Sequence, residues 1–143
     1  MKTIDSFTGQ YRFLSNFYPA EVELVGVTYP TVEHAYQASK TLIPTEREII
    51  RAAKTPGQAK ALGRRVSIVP EWNQIRIGIM RDLLSKKFAN KVLRAELVET
   101  GDAQLIEGNY WGDTFWGVCR GKGQNWLGKI LMEVREELKV LRT

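Results

Sequence analysis

Apolar residues recur at spacings of three and four through Trp72, Ile75, Ile79, Met80, Leu83, Leu84 and Phe88. This period predicts a long core-facing helix that begins just after Pro70 and Glu71. The same spacing returns at Leu127, Ile130, Leu131, Val134 and Leu138, which predicts a last helix over residues 125–141. Shorter helices are predicted between them. Thr31 can cap one that runs to Lys40, with Glu33 in its first turn. Thr45 can cap another that runs to Ala53. Thr55 with Pro56 behind it starts a third, which Gly63 ends. Residues 90–99 form a fourth, closing at Thr100–Gly101. Strand patterns are fewer. Residues 21–29, EVELVGVTY, alternate around Gly26 and suggest a hairpin or a bulged strand. Residues 4–20 read as a short strand followed by a structured loop. The stretch NYWGDTFWGVC is aromatic and broken by glycines, a poor helix and a better strand. The pattern gives an α+β fold: a helix-rich single domain over residues 1–143 with a small antiparallel sheet.

Composition adds bounds rather than detail. A chain of 143 residues is within single-domain size and can bury roughly 70% of its unfolded surface without a disulfide or a metal. With one cysteine, Cys119, no intramolecular disulfide can form, which fits a reducing compartment. The opening residues MKTIDSFTGQ lack an apolar signal core, and no apolar run approaches membrane-spanning length. A cytoplasmic protein with no membrane partner is therefore expected. The net charge of +5 favours anionic partners such as nucleotides or nucleic acid, although many small proteins are mildly basic.

Candidate chemistry concentrates in TVEHAYQASK at 31–40. At about 100° per residue, Glu33, Gln37 and Lys40 share one helix face within about 40°. Such a stripe is either a solvated polar face or a comb that puts a carboxylate, an amide and an amine into one cleft. The second arrangement suits acid–base work beside an amine nucleophile. His34 is the only histidine and is expected to be packed and hydrogen-bonded. A zinc site would need more histidine or cysteine than the chain has. In YRFLSNFYP, three aromatic residues around Asn16 either fill a core or stack on a base whose edge the amide reads. In RGKGQNWLG, Gly121 and Gly123 precede a helix start. Free N–H groups there could hold a phosphate, or the segment is a plain loop. Trp111 and Trp116 flank Gly112 and Asp113, as a pocket wall or as close backbone packing. Arg76 and Arg81 could reach a phosphate or remain solvated.

Together and in order, FLSNFYP (13–19), TVEHAYQASK (31–40), KTPGQAKALGRRV (54–66), Trp72, Arg76, Met80, Lys87–Phe88, the ETG and LIEG strings, Trp116–Gly117 and GQNWLGKILMEVR (123–135) resemble the YbiA-like, or NADAR, family over almost the whole chain. The resemblance implies an N-glycosidase that cleaves ribose–base bonds. Its substrates would be ribosylated pyrimidine intermediates of riboflavin synthesis, or ADP-ribose attached to guanine in nucleic acid. The family's E-H-x-x-Q-x-x-K helix falls on Glu33, His34, Gln37 and Lys40. It implies that Lys40 attacks the anomeric carbon through a ring-opened imine. Cleavage there builds positive charge on the sugar, and the departing base needs a proton, which Glu33 could supply. Burial or neighbouring arginines would lower the Lys40 pKa. Asn16, Phe17, Gln37, Trp111, Asp113, Trp116 and Asn125 are expected around ribose and base, and Arg76, Gly121 and Gly123 around phosphate. No cofactor and no metal are expected. The competing reading is a non-catalytic ADP-ribose or nucleic-acid binding module, in which Lys40 forms no covalent adduct.

Overall fold

The computed structural model describes residues 2–141. Its chain order is β1 (Thr3–Ile4), a 3₁₀ helix (Gly9–Leu14), β2 (Val22–Leu24), β3 (Val27–Tyr29), α1 (Val32–Ala38), α2 (Pro44–Arg51), α3 (Pro56–Gly63), α4 (Trp72–Lys87), α5 (Lys91–Glu99), β4 (Gln104–Leu105), β5 (Gly108–Asn109), β6 (Val118–Cys119) and α6 (Trp126–Leu141). The residues fall into two compact units. One is continuous, Asn16–Lys87; the other joins the described residues up to Ser15 with those from Phe88 onward.

The continuous unit is a cluster of helices around α1. The β2–β3 hairpin pairs antiparallel, Val22 with Tyr29 and Leu24 with Val27. Its two-residue turn places Val25 at φ 50° and Gly26 at φ 78°, the left-handed pair that suits the twist of a tight hairpin. Helix α1 packs against α2, α3, α4 and the hairpin. Its start is the expected one, with Thr31 as N-cap accepting from the His34 N–H. Lys40 lies two residues past its end, in a turn. Helix α3 also starts as expected: Thr55 accepts from the Gln58 N–H, while Gln58 Oε1 accepts from the Lys54 N–H, a reciprocal cap. Helix α2 differs. Its N-cap is Ile43, with no side-chain cap bond, and Pro44 opens the helix. Proline's fixed φ is already helical and its missing N–H costs nothing in the first turn, so Thr45 falls inside rather than at the cap. Helix α4 buries Trp72, Met80, Leu83 and Leu84 on the face that the periodicity marks.

In the second unit α5 and α6 pack together and α6 covers β4. Asn90 caps α5 by accepting from the Val92 and Leu93 N–H groups. Leu93, Leu97, Leu105, Leu127, Ile130, Leu131 and Val134 are all buried. Each such side chain contributes about 1.5–3 kcal/mol by leaving water. Strand β1 pairs with β4, and β5 with β6, both in parallel. The expected antiparallel sheet is therefore confined to the β2–β3 hairpin, and the described strands pair only two by two. The strand expected across NYWGDTFWGVC exists only at its ends, as β5 and β6. Between them Asp113 accepts from the Phe115 and Trp116 N–H groups and donates its own N–H to Asn109 Oδ1. Local side-chain bonds of this kind compete with a ladder.

The cap at Thr31 also carries His34, so one substitution tests how α1 is anchored. Thr31→Val removes both the cap and the hydroxyl bonded to the imidazole. The unfolding free energy from urea titration should drop by about 1–3 kcal/mol; an unchanged midpoint would mean that neither bond matters.

Candidate active site

Every residue of α1 is buried, the polar ones included, which removes the solvated-stripe reading. Glu33 is 8% exposed and Gln37 4%. Buried polar groups cost free energy unless they are bonded, and α1 is surrounded by the partners this requires. The Thr31 hydroxyl and His34 Nδ1 are 2.8 Å apart, and His34 Nε2 lies 3.0 Å from the Ala53 carbonyl oxygen. A carbonyl can only accept, so Nε2 carries a proton and donates to it. His34 is thus a packed, hydrogen-bonded tie between α1 and the end of α2.

The Glu33–Gln37 face of α1 is built from the same logic. Gln37 Nε2 donates to Glu33 Oε2 at 2.6 Å, the i, i+4 contact predicted for one helix face. The Glu33 N–H donates to the Asn16 carbonyl oxygen at 3.1 Å, which holds Asn16 at the start of α1. Asn16 is itself buried, with Nδ2 3.5 Å from Met80 Sδ of α4. Among the described residues, Asn16 Oδ1 and Gln37 Oε1 are buried without a hydrogen-bond partner. Phe17, beside Asn16, is exposed, so it does not fill the core.

Lys40 is half-buried. Its Nζ lies 5.8 Å from the Tyr36 ring centroid and 6.0 Å from that of Trp72, and these two rings pack at 5.2 Å. Burial holds its pKa below the usual lysine value. Glu33 pulls it back up, and Arg64, Lys60 and Arg76 push it down again. Glu33 and Lys40 are therefore electrostatic neighbours, and Arg76 belongs to the same field. Sequence reading named Arg76 but missed Arg64 and Lys60, although both stand in the KTPGQAKALGRRV string.

The remaining predicted residues lie in the other unit. Trp111 is exposed and meets Tyr110 edge to face; Trp116 does the same with Phe115. Asp113 and Asn125 hold backbone. Asn125 Oδ1 accepts from the Glu107 N–H, and its Nδ2 donates to the Leu105 carbonyl. Around Gly121 the chain makes a two-residue hairpin in which Cys119 and Lys122 exchange both backbone bonds. Arg120 and Gly121 there both have positive φ. At Gly123 a side chain would overlap the Gly117 carbonyl oxygen and reach within 2.9 Å of Val118 Cα. The N–H groups of residues 124–127 donate to the carbonyls of Thr114, Gly117, Phe115 and Trp116. These N–H groups at the helix start are therefore already bonded within the chain. The glycines serve the turn. No group of three or more His, Cys, Asp or Glu side chains placed to hold a metal ion occurs among the described residues. No helix among them is long and apolar enough to cross a membrane.

Comparison with known proteins agrees with this geometry. The sequence model of the NADAR domain matches residues 5–139. An N-glycosidase of Nostoc punctiforme is 41% identical over 138 residues, covering 92% of this chain and 88% of that protein. The N-glycosidase YbiA of Escherichia coli is 38% identical over 142 residues, covering 94% and 86%. A riboflavin biosynthesis protein of Vibrio vulnificus is 40% identical over 133 residues, covering 90% of this chain but 36% of that protein. The solution structure of E. coli YbiA superposes with a TM-score of 0.86 at 37% identity, over 99% of this chain and 89% of that one.

Sequence reading gave Lys87 no role beyond its place in a motif. It is the last residue of α4, where a lysine normally faces water. Here it is 1% exposed, with Nζ 5.8 Å from the Tyr18 ring centroid. Burial lowers its pKa to about 7. Below that pH the folded protein must keep a charge out of water. Above it, the folded state releases a proton that the unfolded chain retains up to about pH 10.4. Stability from this group therefore rises with pH across that window. Lys87→Met should be more stable than the parent at pH 6, and its advantage in urea midpoint should shrink toward pH 9. A pH-independent difference would contradict the assignment of this cost to the ammonium.

Proposed function

The chain belongs to the NADAR domain family and is an N-glycosidase, and we propose that it hydrolyses the C1′–N bond of a ribosylated base through an imine on Lys40, with Glu33 as the acid–base group. The observation that carries this reading is the buried Glu33–Gln37 pair on α1 with the Lys40 amine in its field and held below its usual pKa. An imine requires a neutral amine, and desolvation supplies one at lower pH than water would.

Glu33 gives its proton to the departing nitrogen as the C1′–N bond breaks. Positive charge builds at the anomeric carbon, and the neutral Lys40 amine bonds to it. Loss of a proton to Glu33 and opening of the sugar ring leave an imine. Water adds to that carbon and the C–N bond to Lys40 breaks, which releases the sugar and restores both side chains. The net reaction consumes one water and delivers the free base and the sugar. Gln37 orients Glu33, and the cationic side chains of Arg64, Lys60 and Arg76 favour a phosphorylated substrate while repelling a proton from Lys40. Two sources offer such a bond: a ribosylated pyrimidine intermediate of riboflavin synthesis, and ADP-ribose on guanine in nucleic acid. The Vibrio relative's name supports the first.

Incubation with both substrates, with released bases resolved by mass spectrometry, separates these sources. Whichever substrate is cleaved, Glu33→Gln should reduce kcat by ~10²–10⁴ with little change in KM; a loss confined to KM would make Glu33 a binding group. The pH profile tests Lys40. Activity should rise with pH as the amine loses its proton, and Arg64→Gln should move that ascending limb to higher pH, because a charge that disfavours the ammonium is gone. An unmoved limb would exclude Lys40 as the titrating group.

A further inference from the structure

Helix α3 ends at Gly63, which is buried and faces α1. Its backbone is helical, so conformation does not demand glycine there. Space does. A methyl group on Gly63 would overlap Gln37 Oε1 and stand 2.7 Å from its Cδ and 3.2 Å from its Cβ. Other helical glycines of this unit are different. A methyl group on Gly57 would meet only Thr55 Oγ1 at 3.8 Å, and one on Gly78 nothing within 4 Å. The side-chain oxygen of Gln37 thus lies flat against the Gly63 backbone, buried and with no hydrogen-bond partner among the described residues. A free glutamine would turn that oxygen toward a donor, since an unpaired buried acceptor is costly. It is held instead in the one orientation that delivers its N–H to Glu33 Oε2 at 2.6 Å.

We propose that Gly63 is a positioning residue of the glycosidase site: by lacking a side chain it leaves the slot that fixes the Gln37 amide, and through it the Glu33 carboxylate. The inference rests on the reading of Glu33 as the acid–base group. The overlap is with the end of a flexible side chain and not with backbone, so a methyl group at residue 63 displaces Gln37 and spares the fold. Glycine's usual penalty inside a helix is accepted here for geometry.

The test compares wild type, Gly63→Ala, Gln37→Ala and the double variant, with Gly57→Ala as the control for adding a methyl group to α3. Hydrogen exchange of the Gln37 side-chain amide, followed by ¹⁵N NMR, reads the slot directly. It should be protected in wild type and in Gly57→Ala, and exposed in Gly63→Ala. Turnover of the ribosylated substrate should fall roughly 10- to 100-fold in kcat for Gly63→Ala, as for other small misplacements near a reacting group, with KM nearly unchanged. In the Gln37→Ala background the same glycine substitution should cost nothing further, the non-additivity expected of residues acting through one contact. An equal loss in both backgrounds, or a Gln37 amide still protected in Gly63→Ala, would overturn the proposal. Full turnover in Glu33→Gln would instead remove the catalytic reading, and the amide protection would still decide whether Gly63 holds Gln37.

Discussion

The site depends on one constraint: a seven-residue helix, Val32–Ala38, is buried along its whole length although it carries a carboxylate, an imidazole and an amide. Such a helix is too short to be stable alone and too polar to be buried without partners. Its flanking segments and its own side chains supply those partners. Thr31 and the Ala53 carbonyl take the imidazole, Asn16 takes the Glu33 N–H, and Gln37 takes the carboxylate. The same bonds that permit burial also fix where the functional groups point.

Burial then sets the chemistry. Lys40 stands at the margin of this interior, over two aromatic rings, with one carboxylate and three cationic side chains acting on it. Desolvation and like charge favour its neutral form, while Glu33 opposes them. At Lys87 burial lowers the pKa to about 7.

What the sequence reveals follows the range of the interactions. Helix period is local, so the shared face of Glu33, Gln37 and Lys40 and the apolar faces of α4 and α6 are readable from residues three and four apart. Caps are local too, as Thr31 and Thr55 illustrate. The burial of α1 is not local: it comes from Asn16 and Ala53, reached through the fold. Gly63 looks in sequence like a helix stop, and only its closeness to Gln37, 26 positions earlier by numbering, gives it another part. Pairing of β1 with β4 joins residues about a hundred positions apart, and a two-residue strand carries no pattern of its own. The glycines of the 120–125 loop resemble an anion cradle by composition. Their N–H neighbours are bonded to carbonyls of residues 114–117, contacts that composition does not encode.

The proposed reaction turns on a covalent bond between the Lys40 amine and the sugar. Borohydride added during turnover reduces an imine to a stable secondary amine, and peptide mass spectrometry locates it. A ribosyl mass increment should appear on the peptide containing Lys40, dependent on substrate and absent in Lys40→Ala, which should also be inactive. Turnover that continues without any trapped adduct, or an adduct on Lys87 in place of Lys40, would contradict it.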